Sequence, residues 1–98
     1  MAGYVIVNIT VRDPEQYEEY KRLASPSVSA YGGRYLVRGG ALDVREGPWA
    51  LSRLVILEFP SVERARAWWE SPEYTPAKKI RQSCADAQLV ITDGVPPA

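Results

Sequence analysis

"GYVIVNITVRDPEQ", residues 3–16, changes character at Arg12, and that change decides the fold. Gly3–Val11 is β-branched and apolar, the composition of a strand. Asp13 then offers a side-chain oxygen to free backbone N–H groups, Pro14 suits the first helical position, and Gln16 can close a capping box. The chain therefore passes from a strand straight into a capped helix.

Downstream, Tyr17, Tyr20, Ala24, Val28 and Tyr31 recur at spacings of three and four, one helical stripe. Pro26 interrupts the stripe and predicts a kink. Gly32 or Gly33 can take the left-handed conformation that ends a helix. "RYLVRGGALDVREG" (34–47) reads as a second strand, bent or bulged at Gly39-Gly40, and "EGPWALS" as a turn. "RLVILEF" (53–59) is a third strand. Ser61 caps a helix whose apolar face carries Val62, Ala65, Trp68 and Trp69. "SPEYTP" breaks that helix, Thr75 restarts it through Cys84, and "AQLVITD" (87–93) is the last strand before a loose tail. The order β-α-β-β-α-β predicts an α+β, ferredoxin-like fold with a four-stranded antiparallel sheet in strand order 4-1-3-2, a single domain over residues 1–98. A helix of about eighteen residues, ~27 Å long, matches strands of ~23 Å.

Two helices cover one sheet face, and the other face of an antiparallel sheet in water should alternate with polar residues. Here Val5, Val7, Ile9 and Val11 point one way and Tyr4 and Ile6 the other, while Val55, Leu57 and Phe59 oppose Leu54 and Ile56. Both faces are mostly apolar. A four-stranded sheet offers a patch of roughly 400 Å², large enough to mark an interaction site. The pattern predicts a homodimer packed sheet on sheet. If the Val7 and Ile9 face lies at that interface, an aspartate at either position dissociates or unfolds the protein.

The 98 residues carry twelve basic and twelve acidic side chains and no block of like charge, so neither nucleic acid nor a membrane is an expected partner. No apolar run nears the ~20 residues of a membrane span. The N-terminus does not read as a secretory signal, and Cys84 stands alone. A cytoplasmic setting is the expectation. Histidine is absent, which removes Ser-His-Asp and Cys-His chemistry, His-ligated haem and most zinc sites. Neither metal nor cofactor is expected. Proton chemistry falls to carboxylates, tyrosine, lysine, cysteine or water.

Three polar residues interrupt apolar strands: Asn8, Arg38 and Glu58. The strand order puts Glu58 beside either Asn8 or Arg38. One reading is a polar spot in an apolar pocket between sheet and helices. There Arg38 binds an anionic group, Glu58 is the base, and Asn8, Tyr31, Trp69 and Tyr74 contact the substrate. The other is a buried Arg38–Glu58 pair that fixes register or seals a dimer. The aromatics Tyr17, Tyr20, Tyr31, Trp68, Trp69 and Tyr74 could line a pocket for a flat ligand or be core. Lys78, Lys79 and Arg81 read as a solvated face, and Cys84 as a small apolar filler.

The segments "YGGRYLVRGG" (31–40), "RLVILEFPS" (53–61) and "ARAWWESPEYTPAKKIR" (65–81), in that order, resemble the domain of unknown function 1330 family, with likeness from Tyr4 to Gly94. The resemblance implies a dimeric α+β barrel, a homodimer whose two sheets close on each other. Related barrel families include cofactor-free monooxygenases, muconolactone isomerase, haem-degrading enzymes and stress-response proteins. The family itself has no assigned reaction. The histidine common in haem-binding relatives is missing here, which counts against haem. The resulting expectation is a cofactor-independent isomerase or monooxygenase acting on a hydrophobic or aromatic organic acid. The alternatives are a non-catalytic binder of such a ligand and a purely structural dimer.

Overall fold

The structure is a computed structural model and describes residues 1–96. In chain order it forms β1 (Gly3–Val11), α1 (Pro14–Ala30), β2 (Arg34–Arg38), β3 (Arg53–Phe59), α2 (Val62–Glu70), α3 (Thr75–Cys84) and β4 (Ala85–Asp93). The sheet is antiparallel in the order β2-β3-β1-β4, as the sequence predicts. The second helical region is divided in two by the turn after Ser71.

The helix ends are written in short polar motifs. Asp13 Oδ1 accepts from the backbone N–H of Glu15 at 3.1 Å and of Gln16 at 3.2 Å. The Gln16 side chain does not close the expected box; its Oε1 accepts from Ser83 Oγ at 3.3 Å, tying α1 to α3. α1 continues through Pro26 and ends at Gly32, whose φ is +77°. The Gly32 N–H donates to Ser29 O at 3.0 Å and the Gly33 N–H to Val28 O at 2.9 Å, the paired bonds of a glycine-terminated helix. Ser61 Oγ caps α2 through the Arg64 N–H, as expected. Thr75 does not cap α3. It is the first helical residue, and its hydroxyl donates back to Ser71 O at 2.7 Å. β4 begins at Ala85, two residues earlier than expected, because β1 stays paired with it as far as Val11.

β2 departs most from expectation. It ends at Arg38, and residues 39–52 form no strand. Gly39 has φ +71°, a conformation that leads the chain off the ladder, and its N–H donates the closing bond to Leu54 O at 2.8 Å. The Arg53 guanidinium also fills the space a side chain at Gly39 would need. The bulge lies within β2 rather than at Gly39-Gly40: the pairing steps from Tyr35 opposite Leu57 to Val37 opposite Ile56, leaving Leu36 as the extra residue.

All three helices cover one face of the sheet. Val5, Val7, Ile9, Val55, Leu57 and Phe59 form the core there with Tyr17, Ala24, Val28, Ala65, Trp68, Tyr74 and Ala77. Val7 and Ile9 therefore belong to the core, not to an interface. Trp68 Nε1 donates to Ser27 Oγ at 3.1 Å, and Ser27 Oγ donates to Ala24 O at 2.6 Å, so the largest core side chain is fastened to α1. The Cα envelope measures 42 × 38 × 16 Å. The short dimension holds one helix layer on one sheet, since stacked layers lie ~10 Å apart. The opposite face of the sheet has no helix on it.

Candidate functional site

Because of the bulge, Tyr35 and Arg38 both point to the helix side of β2, opposite Leu57 and Val55. Arg38 lies 4.1 Å over the Tyr35 ring and donates to Ser25 Oγ on α1 at 3.0 Å. Behind it, a partly open cavity lies between sheet and helices. Tyr17, Tyr20, Tyr35 and Tyr74 line it together with Lys21, Arg38, Arg53 and Arg81, over a floor of Val7, Ile9, Val55 and Leu57. It holds about 20 Å³ of room for a water's centre, enough for one water.

The charges in this cavity are of one sign. No aspartate or glutamate lines it. Lys21 is paired with Glu18 at 2.8 Å. Arg38, Arg53 and Arg81 have no carboxylate partner among the described residues. Arg53 Nε donates to Tyr17 Oη at 3.1 Å, with its guanidinium 5.5 Å from that ring. Arg81 is only 4% exposed; its Nε lies 3.5 Å from Tyr74 Oη and its guanidinium 5.9 Å from the Trp69 ring. It stands in the last turn of α3, where the carbonyl end of the helix supplies a partial negative charge. That is far less than a carboxylate gives. A buried cation without a full counter-charge is costly, and an anion entering the cavity would relieve it.

The tyrosines contribute hydroxyl groups. Tyr20 and Tyr74 share a 3.1 Å hydrogen bond. Burial, reinforced by Tyr74, pushes the Tyr20 phenol far above its ordinary value. Burial also raises Tyr17, although Arg53 and Lys21 oppose it. Cys84, next to the cavity-lining end of α3, is buried and raised by that burial.

The six candidates read from the sequence do not form one site. Arg38 and Tyr74 line the cavity, and Trp69 flanks it from behind Arg81. Tyr31 lies on the helix surface, where its hydroxyl donates to Glu73 Oε2 at 2.9 Å and its ring faces Arg64. Asn8 and Glu58 lie on the far side of the sheet. Asn8 Nδ2 donates to Ala50 O at 3.1 Å and its Oδ1 accepts the Ser52 N–H at 3.0 Å, so its carboxamide clamps the returning end of the 39–52 loop. Glu58 accepts from Arg34 Nε at 2.7 Å and from Tyr4 Oη at 3.0 Å. Those two bonds, Arg34 foremost, hold its carboxyl below the ordinary value. The expected Arg38–Glu58 pair does not exist. The extra residue at Leu36 turns Arg38 to the opposite face, and Arg34 takes its place beside Glu58.

The sequence reading missed Arg53 and Arg81. Arg81 reads by its charge as part of a solvated face, yet it shares the buried stripe of Tyr74, Ala77 and Cys84, spaced by three and four. That spacing was the available signal. Arg53 opens a strand whose alternate residues Val55, Leu57 and Phe59 are buried, so its inward parity was also legible.

The far face is apolar and bare at its centre. Ile6, Leu54, Ile56 and Val90 face outward, and Val90 is 55% exposed. The 39–52 loop borders them. Trp49, 66% exposed, stands between a groove of about 560 Å³ against Ile6, Asn8 and Val90 and one of about 500 Å³ under Leu42 and Val44. Among the described residues no group of three or more His, Cys, Asp or Glu could hold a metal ion, and no helix is long and apolar enough to cross a membrane.

Comparison with solved structures yields the same fold. A protein of unknown function from Rhodopseudomonas palustris is similar with a TM-score of 0.79 at 23% identity, covering 98% of this chain and 84% of that one. SnoaB, a cofactor-independent oxygenase from Streptomyces nogalater, has a TM-score of 0.69 at 12% identity, covering 98% and 95%. A dimeric ferredoxin-like protein of unknown function from Thermobifida fusca has a TM-score of 0.66 at 20% identity, covering 95% and 91%. No curated protein matches the chain. The family described as Domain of unknown function (DUF1330) matches residues 2–95, and the chain belongs to it.

Proposed function

We propose that the protein is a homodimer, joined through its bare sheet faces, that binds a small aromatic or apolar organic acid in the cavity between sheet and helices. One observation carries the ligand: Arg38, Arg53 and Arg81 line one tyrosine-walled cavity that no carboxylate lines. A planar guanidinium pairs with a carboxylate through two parallel bonds, and the ring walls suit a flat hydrocarbon body. Ligand entry moves Arg38, an exposed side chain joined to α1 by one hydrogen bond, and enlarges a space that has room for one water. Arg38 thus keeps the anion-binding role read from the sequence, and Tyr74 remains a contact. Glu58, Asn8 and Tyr31 fall outside this site.

The dimer rests on the outward Ile6, Leu54, Ile56 and Val90. The sheet patch alone is below the ~800 Å² per partner of a stable interface. Leu42, Val44 and Trp49 extend it. The likeness to a dimeric ferredoxin-like protein supports the same arrangement.

A second reading, turnover of the bound acid without a cofactor, is favoured by the likeness to a cofactor-independent oxygenase. The cavity wall offers cations and protonated phenols to a developing anion but no carboxylate base. Turnover then suits an acid that loses its proton readily.

Benzoate, the simplest aromatic carboxylate, tests the binding reading. Millimolar benzoate should raise the melting temperature, and Arg38→Met should weaken that response. A panel of aromatic carboxylates that leaves the melting temperature unmoved rejects the reading.

A further inference from the structure

The cavity carries its cations at two separated places. Arg38 stands on β2, one edge of the sheet, and reaches across to α1. Arg81 descends from α3 over the other edge, where it shares a groove with Ala85, Asp86, Ala87, Leu89 and Ile91 at β4. β3 and β1 lie between these edges. Three strand spacings separate β2 from β4, ~14 Å at the backbone, and the two side chains reach inward from either end. Tyr17, Tyr20 and Tyr74 occupy the middle, with Val7, Val55 and Leu57 as floor. Asp86, at the groove's rim, is engaged by Arg12 at 3.3 Å and does not neutralise Arg81.

From this separation we infer that the ligand is a dianion with an acidic group at each end of a flat apolar body, one end on Arg38 and the other on Arg81. The inference rests on the binding reading above and adds the number and placement of the ligand's charges. A monoanion would leave one arginine without its counter-charge. Arg81 is the more demanding of the two, because it is 4% exposed and its side-chain hydrogen bond is to the neutral Tyr74 hydroxyl. Arg53, bonded to Tyr17 and packed against Gly39, would join Arg38 at its end of the ligand.

Three probes separate the possibilities by isothermal titration calorimetry: benzoate with one carboxylate, terephthalate with two at opposite ends of the ring, and phthalate with two side by side. Terephthalate should bind at least about tenfold more tightly than either of the others, the gain of one further charge-assisted pair. Arg81→Met should abolish that advantage, weakening terephthalate more than benzoate. Arg38→Met, at an exposed position, should also abolish the advantage, weakening terephthalate more than benzoate, and keeps the test open should Arg81→Met fail to fold. Equal affinities for terephthalate and benzoate overturn the two-ended dianion and leave the binding reading standing. Equal affinities for terephthalate and phthalate overturn it too, since charge count rather than placement is then what the cavity senses. Binding of none of the three overturns both readings together.

Discussion

The two faces of the sheet are built from the same kinds of residue and end in opposite states. On the helix side, Val5, Val7, Ile9, Val55, Leu57 and Phe59 lie under packed aromatics, and the charges that enter are arginines at the margins. On the far side, Ile6, Leu54, Ile56 and Val90 have similar composition and no cover beyond one loop. The carboxylate of the sheet interior, Glu58, is on that second side, already bonded to Arg34 and Tyr4. Apolar composition by itself therefore does not distinguish the core face from the bare one. The helices decide which face is core, and the cations follow the core face because the bulge in β2 turns Arg38 toward it.

The largest effect expected from this contrast is at Val7. Val7→Asp places an unpaired carboxylate in the core and should cost more than about 4 kcal/mol. That is most of the stability of a small domain, so far-UV circular dichroism should show an unfolded chain. A folded Val7→Asp would erase the distinction between the faces. The matched change on the other side, Ile56→Asp, should leave the secondary structure intact and act on assembly. Sedimentation should fall from about twice the 10.9 kDa chain mass to once that mass. A dimer that survives Ile56→Asp would show that the bare face is not the joint.

A smaller effect is expected at the boundary between strand and loop. Gly39→Ala meets both a left-handed backbone and the Arg53 guanidinium. It should cost about 1–2 kcal/mol, read as a lower urea midpoint, whereas Gly40→Ala, with open space around it, should cost less. Equal costs at the two glycines would mean that the turn at Gly39 does not set the end of β2. The smallest effect belongs to Glu58. Its folded pKa lies below the ordinary 4.5, so its bond to Arg34 stabilises the fold above that pH and is lost as pH falls through the lower folded value. The pair is largely exposed, with Arg34 at 70%, so the effect is small. Glu58→Gln should flatten slightly the acid limb of the melting-temperature profile. An unchanged limb would assign that limb to other carboxylates.

Much of this architecture is legible in the chain. Asp13, Gly32 and Ser61 mark helix ends by chemistry that depends only on neighbouring residues. The β-branched, apolar runs of β1 and β3 give the sheet, and the β-α-β-β-α-β order gives the ferredoxin-like topology. The site was less legible because it depends on counts that a single residue upsets. Reading β2 as regular puts Arg34, Leu36 and Arg38 on one face, and the extra residue at Leu36 moves Arg38 to the other. The charge of Arg81 points to solvent, and its position in the stripe with Tyr74 and Cys84 is the better guide. The face taken by the helices could not be read from strands apolar on both sides.

The placement of the tryptophans gives the molecule its own optical probes. Trp68, 2% exposed and bonded to Ser27, sits at the centre of the helix-side core, while Trp49 stands in the loop on the opposite face. Their emission should differ in wavelength and in access to a soluble quencher. With Trp69 and one of the other two indoles changed to phenylalanine, the remaining one reports a single face. Trp68 alone would follow loss of the core during denaturation. Trp49 alone would become shielded from iodide as chains associate on dilution series run in reverse, so folding and assembly can be followed in one sample without an added label.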